Sequence, residues 1–163
     1  PHGAPPYPGG PAPGYGPPPG YPMGGAQALP QFADPHAVGQ AAARMGGGGR
    51  RVGKVPALIL ASILDPEDVV EIVVAGRLRG LNGVVALVGS KVVLVNDREW
   101  KPDVLVIPVG INLQVQGWQD DRYATLLFQD GEHQEVLERI PDRLLAIEFA
   151  QRARDRAASN AAG

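Results

Sequence analysis

The sequence predicts a mainly β fold closed by one C-terminal helix, and three observations carry that expectation. Turn chemistry cuts residues 69–137 about every ten positions, at Leu81-Asn82-Gly83, Gly89-Ser90, Asn96-Asp97, the stretch 117–121 and Asp130-Gly131. The pieces between these turns are short and rich in valine, isoleucine and leucine, as strands are. Pro141-Asp142 then opens a helical pattern that runs to about residue 158. Seven short strands followed by one helix give a small two-sheet barrel or sandwich with a helical plug.

The domain occupies only part of the 163 residues. The first 35 contain 12 prolines and a single charged side chain, Asp34, with Tyr7, Tyr15 and Tyr21 set among Pro and Gly. Such a stretch has too little aliphatic surface to offset its ordering entropy, so residues 1–53 are expected to be a disordered Pro/Gly/Tyr-rich tail. Within it, Asp34-Pro35 is a helix-start signal for a short helix near 35–45. The glycines at 46–49 and Arg50-Arg51 read as a flexible joint. Residues 54–65 form a brief apolar run ending at Asp65-Pro66; a short helix is the first reading and a strand the alternative. As a helix it is apolar all round and must cover something: the outer face of the first strands, the Leu144/Ile147 side of the terminal helix, or a second copy.

The strands fall into two groups. Residues 69–78, 84–88, 92–95 and 104–109 are almost continuously apolar, which implies cover on both faces. Residues 112–116 alternate strictly, and 122–128 and 132–137 are mixed, as expected with one face in water. On the terminal helix Leu145, Phe149 and Ala153 form one stripe beside Ala146, Ala150 and Ala157, the side expected to plug the β structure. Leu144 and Ile147 lie on another side, and Arg152, Arg154, Asp155 and Arg156 read as solvated.

Composition excludes several chemistries. Cysteine is absent, so disulfides, thiolate nucleophiles and Cys-based zinc sites are ruled out. Of three histidines, His133 has only Glu132 and Glu135 as neighbours and reads as a solvated strand residue; no metal and no cofactor is expected. Ser62, Ser90 and Ser159 lie in no Gly-x-Ser-x-Gly elbow, and the glycines at 46–49 lack the Lys-Ser/Thr of a phosphate loop. No small-molecule substrate and no catalytic residue is expected. Residues 1–53 carry a net charge of +2 and the remainder −4, a poor balance for nucleic acid. No apolar run approaches the roughly 18 residues of a membrane span, and no basic-then-apolar leader is visible, so a cytoplasmic location is expected. Arginine far outnumbers lysine, which occurs only at 54, 91 and 101, a bias typical of GC-rich bacterial genomes. Pro18-Pro19-Gly20-Tyr21 matches a ligand pattern for WW domains but reads as part of a non-specific tail.

The order of elements resembles a bacterial pleckstrin-homology (PH) domain of the short, YokE-like type. The resemblance rests on Glu71 to Leu78 for a first strand, Gly83 to Val88 for a second, Lys91 to Val95 for the hairpin into a third and Val106-Ile107-Pro108-Val109-Gly110-Ile111 for a fourth-strand ending. It covers about residues 66–158 and implies four strands then three in two near-orthogonal sheets, with a helix closing one open end. It also implies a binding platform. Arg77 and Arg79 with Lys91 loosely resemble the basic cluster with which some eukaryotic PH domains hold inositol phosphates, whereas alternating arginines also keep a strand end soluble. The Gly89-Ser90-Lys91 turn carries fewer charges than the family's usual one.

The candidates for partner binding are Trp100, Leu144 and Ile147. Trp100 sits in a charged loop, 97–103, either as an exposed anchor or folded back onto the sheet. Trp118 is expected to pack across a strand end. The function expected is a non-catalytic scaffold that binds a protein, with a second copy of the chain as one partner. The alternative is a lipid- or phosphate-headgroup module at a membrane surface using Arg77, Arg79 and Lys91.

Overall fold

In a computed structural model residues 33–162 are described. The disorder expected of residues 1–32 concerns a stretch outside them. Two helices come first, α1 (Val38–Ala42) and α2 (Gly47–Ile63). Seven strands follow: β1 (Val70–Leu78), β2 (Leu81–Val88), β3 (Lys91–Asn96), β4 (Val104–Pro108), β5 (Leu113–Gln119), β6 (Ala124–Asp130) and β7 (His133–Ile140). Helix α3 (Arg143–Ala162) comes last and reaches four residues beyond the boundary read from sequence.

The fold is mainly β with a C-terminal helix. Its strands form one antiparallel sheet in the order β4-β3-β2-β1-β7-β6-β5, so the two sheets expected from sequence are continuous. The seam is nonetheless visible. β1 pairs with β2 over eight residue pairs but with β7 over two, Arg77 with Glu138 and Leu78 with Leu137. Gly76 explains part of this close approach, since a Cβ there would run into the Glu138 carbonyl.

The sheet cannot lie flat. Its two edge strands, β4 and β5, are consecutive in the chain and joined by residues 109–112 alone. Six strand spacings would separate the edges of a flat sheet by about 29 Å, whereas five residue steps reach at most about 18 Å. The sheet therefore curls, and α3 fills the curl. Phe149 is fully buried against Phe128, with Leu145, Ala146, Ala150 and Ala153 on the same side of the helix. Arg154 donates to the Val115 carbonyl on β5, and six residues on Asn160 donates to the Val109 carbonyl just past β4. One helix thus holds both edges.

On the outer face α2 packs across β1, β2 and β3. The apolar run at 54–65 is helical and it does cover the first strands, burying Ala57 and Leu60. Gly53 lies so close to the sheet that a Cβ would stand 2.9 Å from that of Ala75 and 3.1 Å from Val84 Cγ1. The helix begins seven residues before the run, because the glycines read as a joint are its first turn. The Asp142 carboxylate accepts a 2.8 Å hydrogen bond from the Gly46 N–H. A Cβ at Gly46 would sit 3.0 Å from that oxygen, and one at Gly49 would overlap the other. Asp142 thus caps α2 from the far end of the sequence, where the positive end of the helix dipole favours a carboxylate.

One strand departs from its expected burial. Val104 and Val106 on β4 are exposed. Ala75 faces Val84, Val84 faces Val95 and Val95 faces Val104 across the ladders, so both valines lie on the face that α2 covers, one strand beyond its reach. Leu58, 66 % exposed, points away from the sheet on the solvent side of α2, with Val55 and Ile63 also exposed.

Candidate functional site

β5 buries Leu113 and Val115 and exposes Gln114, Gln116 and Trp118, the alternation of a strand with one wet face. Gly117 falls in phase with the buried positions but has no side chain to put there. Opposite it, α3 presents Ala146 and Ala150. The small residues leave a groove of about 230 Å³ bounded by Gly117, Trp118, Ala124, Ile147 and Arg154. That is below the roughly 300–1,000 Å³ of ordinary small-molecule sites, and suits a single side chain better. Trp118 is 55 % exposed, so it does not pack across a strand end as its surroundings in the sequence suggest. Ile147 is 48 % and Leu144 81 % exposed, and their i, i+3 spacing makes them neighbours on the helix surface. One of the three partner-binding candidates, Ile147, therefore lines a groove that has no signature in the sequence, whereas Leu144 borders a separate polar depression with Arg44, Asp142, Arg143 and Glu148.

Trp100, the third, lies in the β3–β4 loop and is 99 % exposed. It does not fold back onto the sheet. Its φ of 70° is the left-handed region, costly for a non-glycine residue. The loop is nevertheless pinned. Asn96, fully buried, donates to the Asp103 carboxylate at 2.7 Å and to the Leu78 carbonyl, and its Oδ1 accepts from the N–H groups of Asp103 and Arg98. Arg98 adds an ion pair to Asp103 at 3.0 Å. The bond from Asn96, then that from Arg98, holds the Asp103 carboxyl below its ordinary range. In sequence Asn96-Asp97 reads as a turn, and nothing in its neighbours signals the buried role.

The basic candidates are not brought together. Arg79 makes a bidentate pair with Glu135 (2.7 Å for its Nη2) and lies 3.6 Å from Asp103, at the end of the sheet where β1 turns into β2. Lys91 stands at the opposite end of the β2–β3 ladder, 2.8 Å from Asp68 and 3.3 Å from Asp65. Arg77 donates to the Gly80 carbonyl. The carboxylate bonds raise Arg79 and Lys91 above their usual pKa values. Two of the three cations are thus committed to carboxylates, and no phosphate site joins them.

No protein-family model and no curated protein matches the chain. The candidate site stands on its geometry.

Other chemistry-bearing groups have structural partners. Asp65, Glu67 and Asp68 bring carboxylate oxygens within 4.8 Å of one another, and the Lys91 ammonium pairs with Asp65 and Asp68. Ser62 donates to the Ile59 carbonyl on its own helix. His133 is exposed at the start of β7. Arg152 and Arg156, read as solvated, both reach Glu71 and tie α3 to β1. Among the described residues no helix is long and apolar enough to cross a membrane.

Proposed function

We propose that the chain is a non-catalytic, PH-like binding or scaffold module of the cytoplasm whose partners are proteins, with self-association as the simplest case. The observation that carries this reading is the groove between β5 and α3, flanked by exposed Trp118 and Ile147, with exposed Leu144 one turn away on the same helix. Aromatic and aliphatic side chains around a shallow apolar groove are the usual anchors of protein recognition. The exposed apolar residues of α2 with Val104 and Val106, and the projecting Trp100, add surfaces of the same kind. The headgroup reading has weaker support, because Arg79 and Lys91 already face carboxylates at short range.

The test is the mass of the full chain in solution, by light scattering over a range of concentrations. Association that weakens in the Leu144→Asn/Ile147→Asn variant, with melting temperature kept, is expected. A chain that stays monomeric and sediments with phosphatidylglycerol vesicles through Arg77 and Lys91 would overturn the reading in favour of headgroup binding.

A further inference from the structure

The groove has an electrostatic and a hydrogen-bonding side that its apolar lining does not reveal. β5 is an edge strand, paired with β6 alone. The Asp120 N–H donates to the Tyr123 carbonyl, which makes that pair a hydrogen-bonded one; its register continues unbroken through the ladder. Alternation then assigns Gln119, Gly117 and Val115 to the non-bonded pairs, whose N–H and C=O groups point away from β6. The Val115 carbonyl agrees, since it receives the Arg154 Nε at 2.9 Å from outside the sheet. Gly117 and Gln119 therefore turn their backbone groups outward beside the groove, a short open strand edge with an apolar trough along it.

Two arginines reach that edge, and two more stand at the connection between β5 and β6. Arg122 is in the β5–β6 turn; Arg139 on β7 lies over the Tyr123 ring at 5.2 Å. Arg143 donates to the Asp120 carbonyl at 2.6 Å, and Arg154 lines the groove. Among the described residues none of the four is in a salt bridge, whereas Arg44, Arg79, Lys91, Arg98, Arg152 and Arg156 all are. The acidic groups nearest in the chain are Asp120, Asp121, Glu138 and Asp155. Asp120 accepts from the N–H groups of Tyr123 and Arg122, and these bonds, then the charges of Arg143 and Arg122, hold its carboxyl below the ordinary range; Asp155 accepts from the Gln151 amide.

Resting on the protein-binding reading above, we infer that the groove takes an acidic, extended peptide segment of a partner protein. The segment adds as a short strand to the free edge at Gly117 and Gln119 and lodges one apolar side chain between Gly117, Ala146 and Ala150. Its carboxylates face the arginines. Charge complementarity selects this occupant, and it excludes the chain's own N-terminal stretch: residues 1–32 contain no Asp or Glu, and their prolines lack the N–H that a strand must donate.

The test uses the full chain and a short peptide of alternating Glu and Val. A Lys/Val counterpart, phosphatidylglycerol vesicles and poly(U) RNA are the controls. Amide NMR shifts localise binding, and Trp fluorescence titrates it. The expected result is perturbation at Gly117, Gln119 and Ile147 by the Glu/Val peptide alone. Affinity should fall with salt and drop about tenfold in Arg143→Gln/Arg154→Gln, read at a temperature where its amide spectrum shows the variant folded, since Arg154 also ties α3 to β5. A second variant, Ala150→Leu, fills the groove and should abolish binding while the arginines stay. Equal binding of the Lys/Val peptide, shifts confined to other surfaces, or preference of the arginines for vesicles or RNA would overturn the inference. If the Glu/Val peptide fails while self-association still depends on Leu144 and Ile147, this inference falls and the protein-binding reading stands.

Discussion

Phe149 on α3 meets Phe128 on β6 edge to face, with ring centroids 5.9 Å apart and planes at 87°. Both rings are fully buried, and the contact is the point where the helix enters the curl of the sheet. Edge-to-face pairs add about 0.5–1.5 kcal/mol beyond the area they bury.

Removing that ring should therefore be severe. Phe149→Ala deletes the largest apolar side chain on α3 and leaves a cavity that Leu145, Ala146 and Ala153 cannot fill. The expected cost is about 3–5 kcal/mol, against a total stability of about 5–15 kcal/mol for a domain. Chemical denaturation checks it. A midpoint close to that of the wild type would mean that the helix does not hold the sheet together.

The Asp142 cap on α2 predicts a coupled pair. Asp142→Ala should cost about 1–2 kcal/mol by removing the N-cap acceptor and its favourable dipole interaction. Gly49→Ala should also destabilise, because its Cβ would overlap the same carboxylate. In the double variant the carboxylate clash is gone, a 3.3 Å approach to Met45 Cβ remains, and alanine has the better helix propensity, by about 0.8–1.0 kcal/mol. The two costs should then be strongly non-additive, with Gly49→Ala neutral or stabilising once Asp142 is absent. Additive costs in a double-mutant cycle would mean that the glycines do not serve this contact.

Arg44 grips Glu148 with two hydrogen bonds of 2.8 and 2.7 Å, and Arg152 reaches it at 2.9 Å. The bonds from Arg44 come first in holding the Glu148 carboxyl down to about 2. A depressed carboxyl stabilises the folded state above its unfolded pKa of about 4.3 and loses that contribution as pH falls toward the folded value. The wild type should thus lose melting temperature between about pH 5 and pH 2 more steeply than Glu148→Gln. The pair is partly exposed, so salt should flatten the difference. Parallel pH profiles would show that the ion pair adds nothing to stability.

The strands and the terminal helix were legible because they depend on local patterns. Turn residues at Gly89 and Gly131 and the two-residue alternation at 112–116 determine them without reference to the rest of the chain; the turn read at Leu81-Asn82-Gly83 lies two residues earlier, at Arg79-Gly80, and Asn82 and Gly83 belong to β2. What stayed hidden depends on distant partners. Gly46 to Gly49 read as a joint until Asp142, almost a hundred residues on, is seen against them. Val104 to Val109 is as apolar as β2, yet its outer side is exposed, because cover depends on where α2 stops. The groove has no signature in sequence. It arises where Gly117 on β5 meets Ala146 and Ala150 on α3, and three small residues far apart in the chain announce nothing.

Trp100 gives the sharpest test of whether a residue serves folding or recognition. It contributes almost no burial, and its left-handed backbone costs a non-glycine residue roughly 1–2 kcal/mol. If the loop existed only to join β3 to β4, glycine would be the better residue there. Trp100→Gly is therefore expected to leave the melting temperature unchanged or to raise it by a few degrees, since about 1 kcal/mol corresponds to roughly 4 °C in a domain of this size. Asn96→Ala, by contrast, should lose stability, because it leaves the Asp103 and Arg98 N–H groups without their acceptor, at about 1–3 kcal/mol. Calorimetry on the two variants separates the cases. A marked loss of stability in Trp100→Gly would assign the tryptophan a structural role and remove it from the list of partner-binding residues. A stable Trp100→Gly beside a weakened Asn96→Ala would mean that the scaffold of the loop serves the fold, while the side chain it projects serves contact with another molecule.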